Sequence, residues 1–176
     1  MNGDVLSACP ARTALGTFAV VAGPGGVRRV RFPGGEAQVL LQSTGGSGRG
    51  PAGGGSVGDL ASEAAAEVEA WFSGELRVFT VPVDLGAVSG FQLGVLEAAR
   101  GIPFGETVSY REMAIAAGSP GAVRAAGTAM GANPVPVLVP CHRVVRSDGS
   151  PGLYGGGEEL KRWLLAFEAA AVARSA

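Results

Sequence analysis

Cys141 and His142 stand side by side in the segment VPCHRVV, residues 139 to 145, as one of two cysteines and the only histidine among 176 residues. A thiol is a poor nucleophile until its thiolate is favoured, because free cysteine ionises near pH ~8.5. His142 is the sole imidazole that could take its proton. Adjacent side chains of an extended segment point to opposite faces, so a direct bond between the two is not the natural geometry. Either a turn follows Pro140 or a water relays the proton. A general base also needs a partner that fixes its tautomer. Glu168 is the best candidate, four residues after Leu164 and eight after Leu160, on or beside the apolar stripe of the last helix. A carboxylate buried there requires a partner. Plainer alternatives stay open for both: a solvated edge of the stripe for Glu168, and a small buried hydrophobe for Cys141.

Other chemistries find less support. Cysteines at 9 and 141, without CxxC spacing, form neither a disulfide framework nor a zinc module. With one histidine, a metal site would have to recruit carboxylates from elsewhere, so no metal or other cofactor is expected. The loop SDGSPGLYGGG, residues 147 to 157, is rich in glycine but lacks the GK[ST] of a phosphate loop. Its glycines would let a backbone approach a flat ligand beside Tyr154, or the segment is a plain surface loop. A cysteine hydrolase built on Cys141, His142 and Glu168 would need an oxyanion hole, and no motif for one is evident.

The elements that would position these residues fall into two parts, 1–85 and 86–176. In the first, TALGTFAVVA and VRRVRF flank GPGG and predict a hairpin. STGGSGRGPAGGGSVG, residues 43 to 58, cannot bury a core face and predicts a flexible surface loop or insertion. LASEAAAEVEAWF predicts a helix from Asp59, with Gly74 just past its end, and LRVFTVPVDL a strand that Pro82 confines to an edge. After Gly86 short helices take over. Ser89 is placed to cap FQLGVLEAAR. Ser109 and Glu112 have capping-box spacing and start a helix at Tyr110. Ser119 is expected to cap the next one, with Pro120 at its first position. These two helices make a helix-turn-helix. The second, GAVRAAGTAMGA, is almost entirely Gly and Ala with Arg124 as its only charge, and Gly costs ~1 kcal/mol against Ala inside a helix. Small residues suit either tight core packing or close docking on another surface. Asn133-Pro134 ends it, PVPVLVP reads as an extended buried segment delivering Cys141, and EELKRWLLAFEAAAVARS predicts a final helix striped by Leu160, Leu164 and Phe167.

Charge excludes a strongly basic nucleic-acid binder. Six arginines face eight acids in residues 1 to 90, and eight basic residues face seven acids in the rest. Residues 100 to 146 hold five arginines against Glu106 and Glu112, a modest anion-binding patch or simply solvated charge. The first twenty residues lack a long apolar region, and no later run approaches a membrane span. The expectation is a cytoplasmic globular protein without a membrane association.

FQLGVLEAARGIPFGETVSY, GSPGAVRAAGTAMGANPVPVLVPCHRVV and GLYGGGEELKRWLLAFE resemble, in order and spacing, the O6-alkylguanine-DNA alkyltransferases. The resemblance runs from Phe91 to Glu168, about half the chain, and PCHRV preceded by NP at this distance is its most specific signature. It implies an α/β N-terminal domain of ribonuclease H-like topology and a mainly α C-terminal domain with a winged-helix-like helix-turn-helix. It further implies a single-use repair reaction in duplex DNA: Cys141 takes the alkyl group from O6 of guanine, and possibly from O4 of thymine. His142, held by Glu168, would take the thiol proton through a water, Tyr110 would protonate guanine N3, and Asn133 would tie the turn that carries the cysteine. Arg124 would enter the base stack in place of the flipped nucleotide, with Ala125 and Gly127 giving access to the minor groove, and Val144, Tyr154 and Gly155 lining the pocket. The protein would act as a monomer.

Three departures stand out. Gly155 sits where many members have serine, RAAG replaces the usual RAVG, and the Cys and His needed for the structural zinc of some relatives are missing. Retention of Cys141 argues against the non-catalytic subfamily, whose members would serve as lesion sensors on the same helix-turn-helix.

Overall fold

The GPGG hairpin forms as its sequence predicts, but with a third strand added. In the computed structural model, which describes residues 6–44, 56–88 and 90–174, the chain divides into two units, Met1–Leu85 and Gly86–Ala176. The first holds an antiparallel sheet of β1 (Ser7–Thr13), β2 (Gly16–Gly23) and β3 (Gly26–Arg31), in that spatial order. Ala19 pairs with Arg31 and Cys9 with Val20, and the β2–β3 register shifts between Val21 and Ala22, leaving Arg28 of β3 as the extra residue. The central strand is buried from Phe18 to Gly23, as a continuous apolar run requires. Helix α1 (Gly35–Ser43) was not foreseen from its composition. Helix α2 (Val57–Ser73) begins two residues earlier than Asp59, because Ser56 and Asp59 close a capping box. It packs on β1 and β2 through Val68, Trp71 and Phe72, and Phe72 meets Phe18 at a ring-centroid distance of 5.0 Å.

Two expectations fail in this unit or lie beyond it. LRVFTVPVDL is not a strand. Only Val83 bridges to the sheet, at Val27, while the Thr80 and Val81 amides donate to the Glu67 carboxylate and so have no ladder to join. Most of the 43–58 loop, residues 45 to 55, lies outside the described residues.

The second unit comprises α3 (Gly90–Arg100), β4 (Val108–Ser109), α4 (Tyr110–Ala116), α5 (Val123–Gly131), β5 (Val144–Val145) and α6 (Glu158–Ala173). Helices α3, α4 and α5 pack on one another around Val95, Leu96, Met113, Ala126 and Met130. The cap at Ser109 forms as predicted, with Glu112 closing the box. The cap at Ser89 lies outside the described residues. Ser119 does not cap α5. Its carbonyl accepts from the Ala122 amide at 2.9 Å, which makes 119–122 a tight turn with Pro120 at the second position, and the helix starts four residues later at Val123. Proline's fixed φ suits that turn position as well as it suits a helix start.

The segment from 134 to 140 is buried but not extended. Val137 adopts a left-handed backbone with φ 76°, and the Val139 amide turns back to the Val135 carbonyl at 3.0 Å. The stripe of α6 is also rotated from the one expected. Lys161, Leu164, Glu168 and Ala171 are its buried residues, whereas Leu160 and Phe167 are only half-buried.

Candidate active site

Cys141 opens a three-residue 3₁₀ turn, Cys141–Arg143, and is 3% exposed. The turn resolves the geometric question that adjacency raises by sending neighbouring side chains to different partners. The Asn133 side-chain amide donates to the Cys141 sulfur at 3.1 Å and to the Val139 carbonyl at 2.8 Å, while its oxygen accepts from the Val135 amide at 3.0 Å. Asn133 thereby holds the left-handed bend at Val137, a conformation that costs a β-branched residue about 1–3 kcal/mol. Burial pushes the Cys141 thiol up; the bond from Asn133, the charge of Lys161 and the Tyr154 hydroxyl pull the other way without reversing it. The sulfur rests as a thiol, so its proton must leave when it reacts.

His142 is fully buried and its Nε2 lies 2.8 Å from Glu168 Oε1. The Glu168 carboxylate, itself 1% exposed, accepts from Arg143 Nε at 3.0 Å on both oxygens and from Nη2 at 2.8 Å. It also accepts from the Gly105 amide at 2.7 Å. Burial pushes Glu168 up, but the bonds from His142 and Arg143 outweigh it and hold the group below the ordinary carboxylate range. An ionised Glu168 fixes the hydrogen of His142 on Nε2 and leaves the lone pair on Nδ1. Burial lowers the His142 pKa, against the pull of Glu168, so the imidazole is neutral at pH 7.

A two-residue parallel ladder, Val108 with Val144 and Ser109 with Val145, brings the start of α4 beside the cysteine turn. Tyr110 is the first residue of α4. Its hydroxyl donates to the Leu153 carbonyl at 3.3 Å and accepts from Lys161 Nζ at 3.1 Å. Lys161 is 0% exposed, donates also to the Val144 carbonyl at 2.6 Å, and is lowered by burial to about 8. Burial and the nearby thiol raise Tyr110. The Tyr154 hydroxyl is enclosed beside Cys141, and burial raises it well above 10. Among the described residues no cluster of His, Cys, Asp and Glu could hold a metal ion.

One site therefore gathers Cys141, His142, Glu168, Tyr110, Asn133, Val144 and Tyr154. Arg124 and Ala125 stand elsewhere, on the exposed face of α5, and Gly155 is exposed in its loop. Gly127 faces the Tyr110 ring, where a Cβ would sit 3.8 Å from Cδ1.

Residues 90–170 match the model of the 6-O-methylguanine DNA methyltransferase DNA-binding domain. A methylated-DNA–protein-cysteine methyltransferase of Mycolicibacterium paratuberculosis is 48% identical over 102 residues, 58% of this chain and 61% of that one. The chain spans less than two thirds of the length of the curated relatives it matches. The crystal structure of Mycobacterium tuberculosis O6-methylguanine methyltransferase superposes with a TM-score of 0.74 at 32% identity, covering 94% of each chain. A second structure of the mycobacterial protein, in complex with DNA, gives 0.77 at 33% identity, again over 94% of each. This chain belongs to the O6-methylguanine-DNA methyltransferase family.

Within its O6-methylguanine-DNA methyltransferase fold, mixed α/β with six helices, three residues join the site that sequence reasoning passed over. Arg143 entered only as one of five arginines in a modest anion-binding patch or simply solvated charge, and Lys161 only in the net balance of charge. Lys161 shares the helical face of Leu164 and Glu168 at spacings of three and seven, which was the available signal. Gly105 carries no side chain to notice. Its φ is 83°, and a Cβ there would lie 2.5 Å from Val172 Cγ2, so only glycine presents this amide to Glu168.

Proposed function

We propose that this protein repairs duplex DNA by direct reversal, accepting the alkyl group of O6-alkylguanine irreversibly on Cys141, once per molecule. The observation that carries the reading is the buried Cys141 thiol, held at 3.1 Å by Asn133 and flanked by a neutral imidazole whose Nε2 is anchored on Glu168. The Sγ lone pair attacks the alkyl carbon as the bond from that carbon to O6 breaks. The thiol proton passes through a water to His142 Nδ1, and Tyr110 gives a proton to the purine at N3 as the departing base gains electrons. A stable thioether remains; once the purine proton has moved from N3 to N1 and the imidazolium has returned its proton to the Tyr110 phenolate through solvent, so does normal guanine.

A base inside a duplex cannot reach a buried thiol, so the nucleotide must flip out at a cost of a few kcal/mol. The pair α4–α5 suits a winged-helix-like helix-turn-helix, with α5 in the minor groove. Arg124 and Ala125 are exposed there, and the small residues let the backbone close on a narrow groove while Arg124 fills the vacated stack. Val144, Tyr154 and Gly155 line the pocket for the flipped base. With glycine at 155, the backbone supplies whatever bond the loop makes to it. We assign the first unit a ribonuclease H-like topology, and the whole protein a monomeric, cytoplasmic life. No helix among the described residues is long and apolar enough to cross a membrane.

Incubated in equal amount with a duplex carrying O6-methylguanine, the protein is expected to gain one methyl group on the peptide containing Cys141. An unchanged intact mass would overturn transfer, and repeated turnover on an ester or peptide would point to a hydrolase instead.

A second expectation concerns Gly152, whose φ is 70°. A Cβ there would stand 2.9 Å from the Tyr110 hydroxyl oxygen and 3.0 Å from Cε2. Gly152→Ala must either strain the loop or move the phenol, at a cost of about 1–3 kcal/mol. Single-turnover transfer by this variant is expected to slow about tenfold or more; a rate within twofold of the parent would show that Tyr110 is not positioned by this contact.

A further inference from the structure

The carboxylate that orients the base has more charge on it than an orienting role requires. Glu168 meets a buried guanidinium along its edge, with Arg143 Nε and Nη2 both donating, in addition to His142. That guanidinium is itself locked. Nη1 donates to the Ile102 carbonyl at 2.6 Å, and the Phe104 ring lies 5.6 Å beneath it. Arg143 is 6% exposed, so its charge is not screened by solvent.

We propose that Arg143 is a positioning residue that keeps His142 neutral. It completes the charge balance of Glu168, so that the imidazole supplies a hydrogen bond rather than a countercharge. Two buried groups of opposite charge balance; a third charge beside them would be in excess. Burial is the largest influence on His142 and disfavours its charge; the charged groups that act on it include Glu168 and Lys161 from α6 and Arg143 from its own turn, and of these Glu168 favours the imidazolium while Arg143 and Lys161 oppose it. Without the guanidinium, the ionised Glu168 would find its countercharge in His142. A protonated His142 cannot receive the thiol proton at Nδ1. The catalytic meaning of the inference rests on the transfer reading; the protonation state does not.

The chain has a single histidine, so the imidazole nitrogen resonances of the untagged, full-length protein report this residue alone. In the parent, those resonances are expected to show the neutral Nε2–H tautomer at pH 7. In Arg143→Gln the titration midpoint should rise by about one pH unit or more, and the ascending limb of the transfer rate should rise with it, while Arg143→Lys should restore most of the parent behaviour. A charged His142 in the parent at pH 7 would overturn the proposal even if the glutamine variant did not fold. So would an unchanged midpoint in a folded Arg143→Gln. Neutral His142 in a parent that takes no methyl group would leave this inference standing and remove the repair reading instead.

Discussion

Glu168→Ala is expected to destabilise the C-terminal unit by about 3–5 kcal/mol, the cost of leaving a buried charge without its partner. The carboxylate is 1% exposed and is the acceptor for His142, for two nitrogens of Arg143 and for the Gly105 amide. Truncation leaves a buried guanidinium with only the Ile102 carbonyl as acceptor, takes away the acceptor of the Gly105 amide, and opens a void in the stripe of α6. Against a typical total of about 5–15 kcal/mol, such a loss leaves little margin. Hydrogen exchange of the α6 amides should read it directly, and transfer should disappear with the fold. Glu168→Gln keeps the shape and one oxygen but loses the charge, so its loss should be smaller. A destabilisation below about 1 kcal/mol for the alanine variant would mean that the Arg143 charge is not confined as the geometry implies. The acid limb follows in sign. Because Glu168 titrates below its ordinary value when folded, its contribution is fully present above the unfolded value near pH ~4.3, and is lost as pH falls through the folded one.

How much of this arrangement the sequence discloses depends on how local each cause is. The capping box at Ser109 and Glu112 is legible because its bonds close within four residues, and it fixes where Tyr110 begins its helix. The strand expected over LRVFTVPVDL fails for the opposite reason. Its β-branched residues favour an extended backbone, but Glu67, on a helix more than ten residues away, takes the amides of Thr80 and Val81. Strand β1 was missed because Pro10 disrupts its pattern; as an edge strand it tolerates the missing donor. The α6 stripe was read one residue out of phase because Leu160 and Phe167 are apolar and Lys161 is not. Polarity is a poor guide where a buried lysine finds a carbonyl and a phenol. The pair Cys141 and His142 was visible at once, but the 3₁₀ turn that separates them depends on Asn133 and on the bend at Val137, neither of which leaves a periodic trace.

Lys161 and Tyr110 carry the second large expectation, and they should act as one unit. Tyr110→Phe removes the proton donor and is expected to slow transfer about 10²–10⁴-fold, the usual range for general acid catalysis. Lys161→Met removes a charged hydrogen bond to the same hydroxyl and should cost about 10–100-fold. Because the ammonium works through the phenol, the double variant should be no slower than Tyr110→Phe alone; fully multiplied losses would place Lys161 on a separate path. The pH dependence supplies an independent mark. Lys161 loses its proton near 8 in the folded protein, after which it is a weaker donor to Tyr110, so the parent rate should fall above about pH 8 while the Lys161→Met rate should not. Stability should move the other way. Between about pH 8 and the ordinary lysine value near 10.4, the unfolded chain holds a proton that the folded one has released, so folding gains as pH rises through that window. Lys161→Met has no proton to release and should lose that gain.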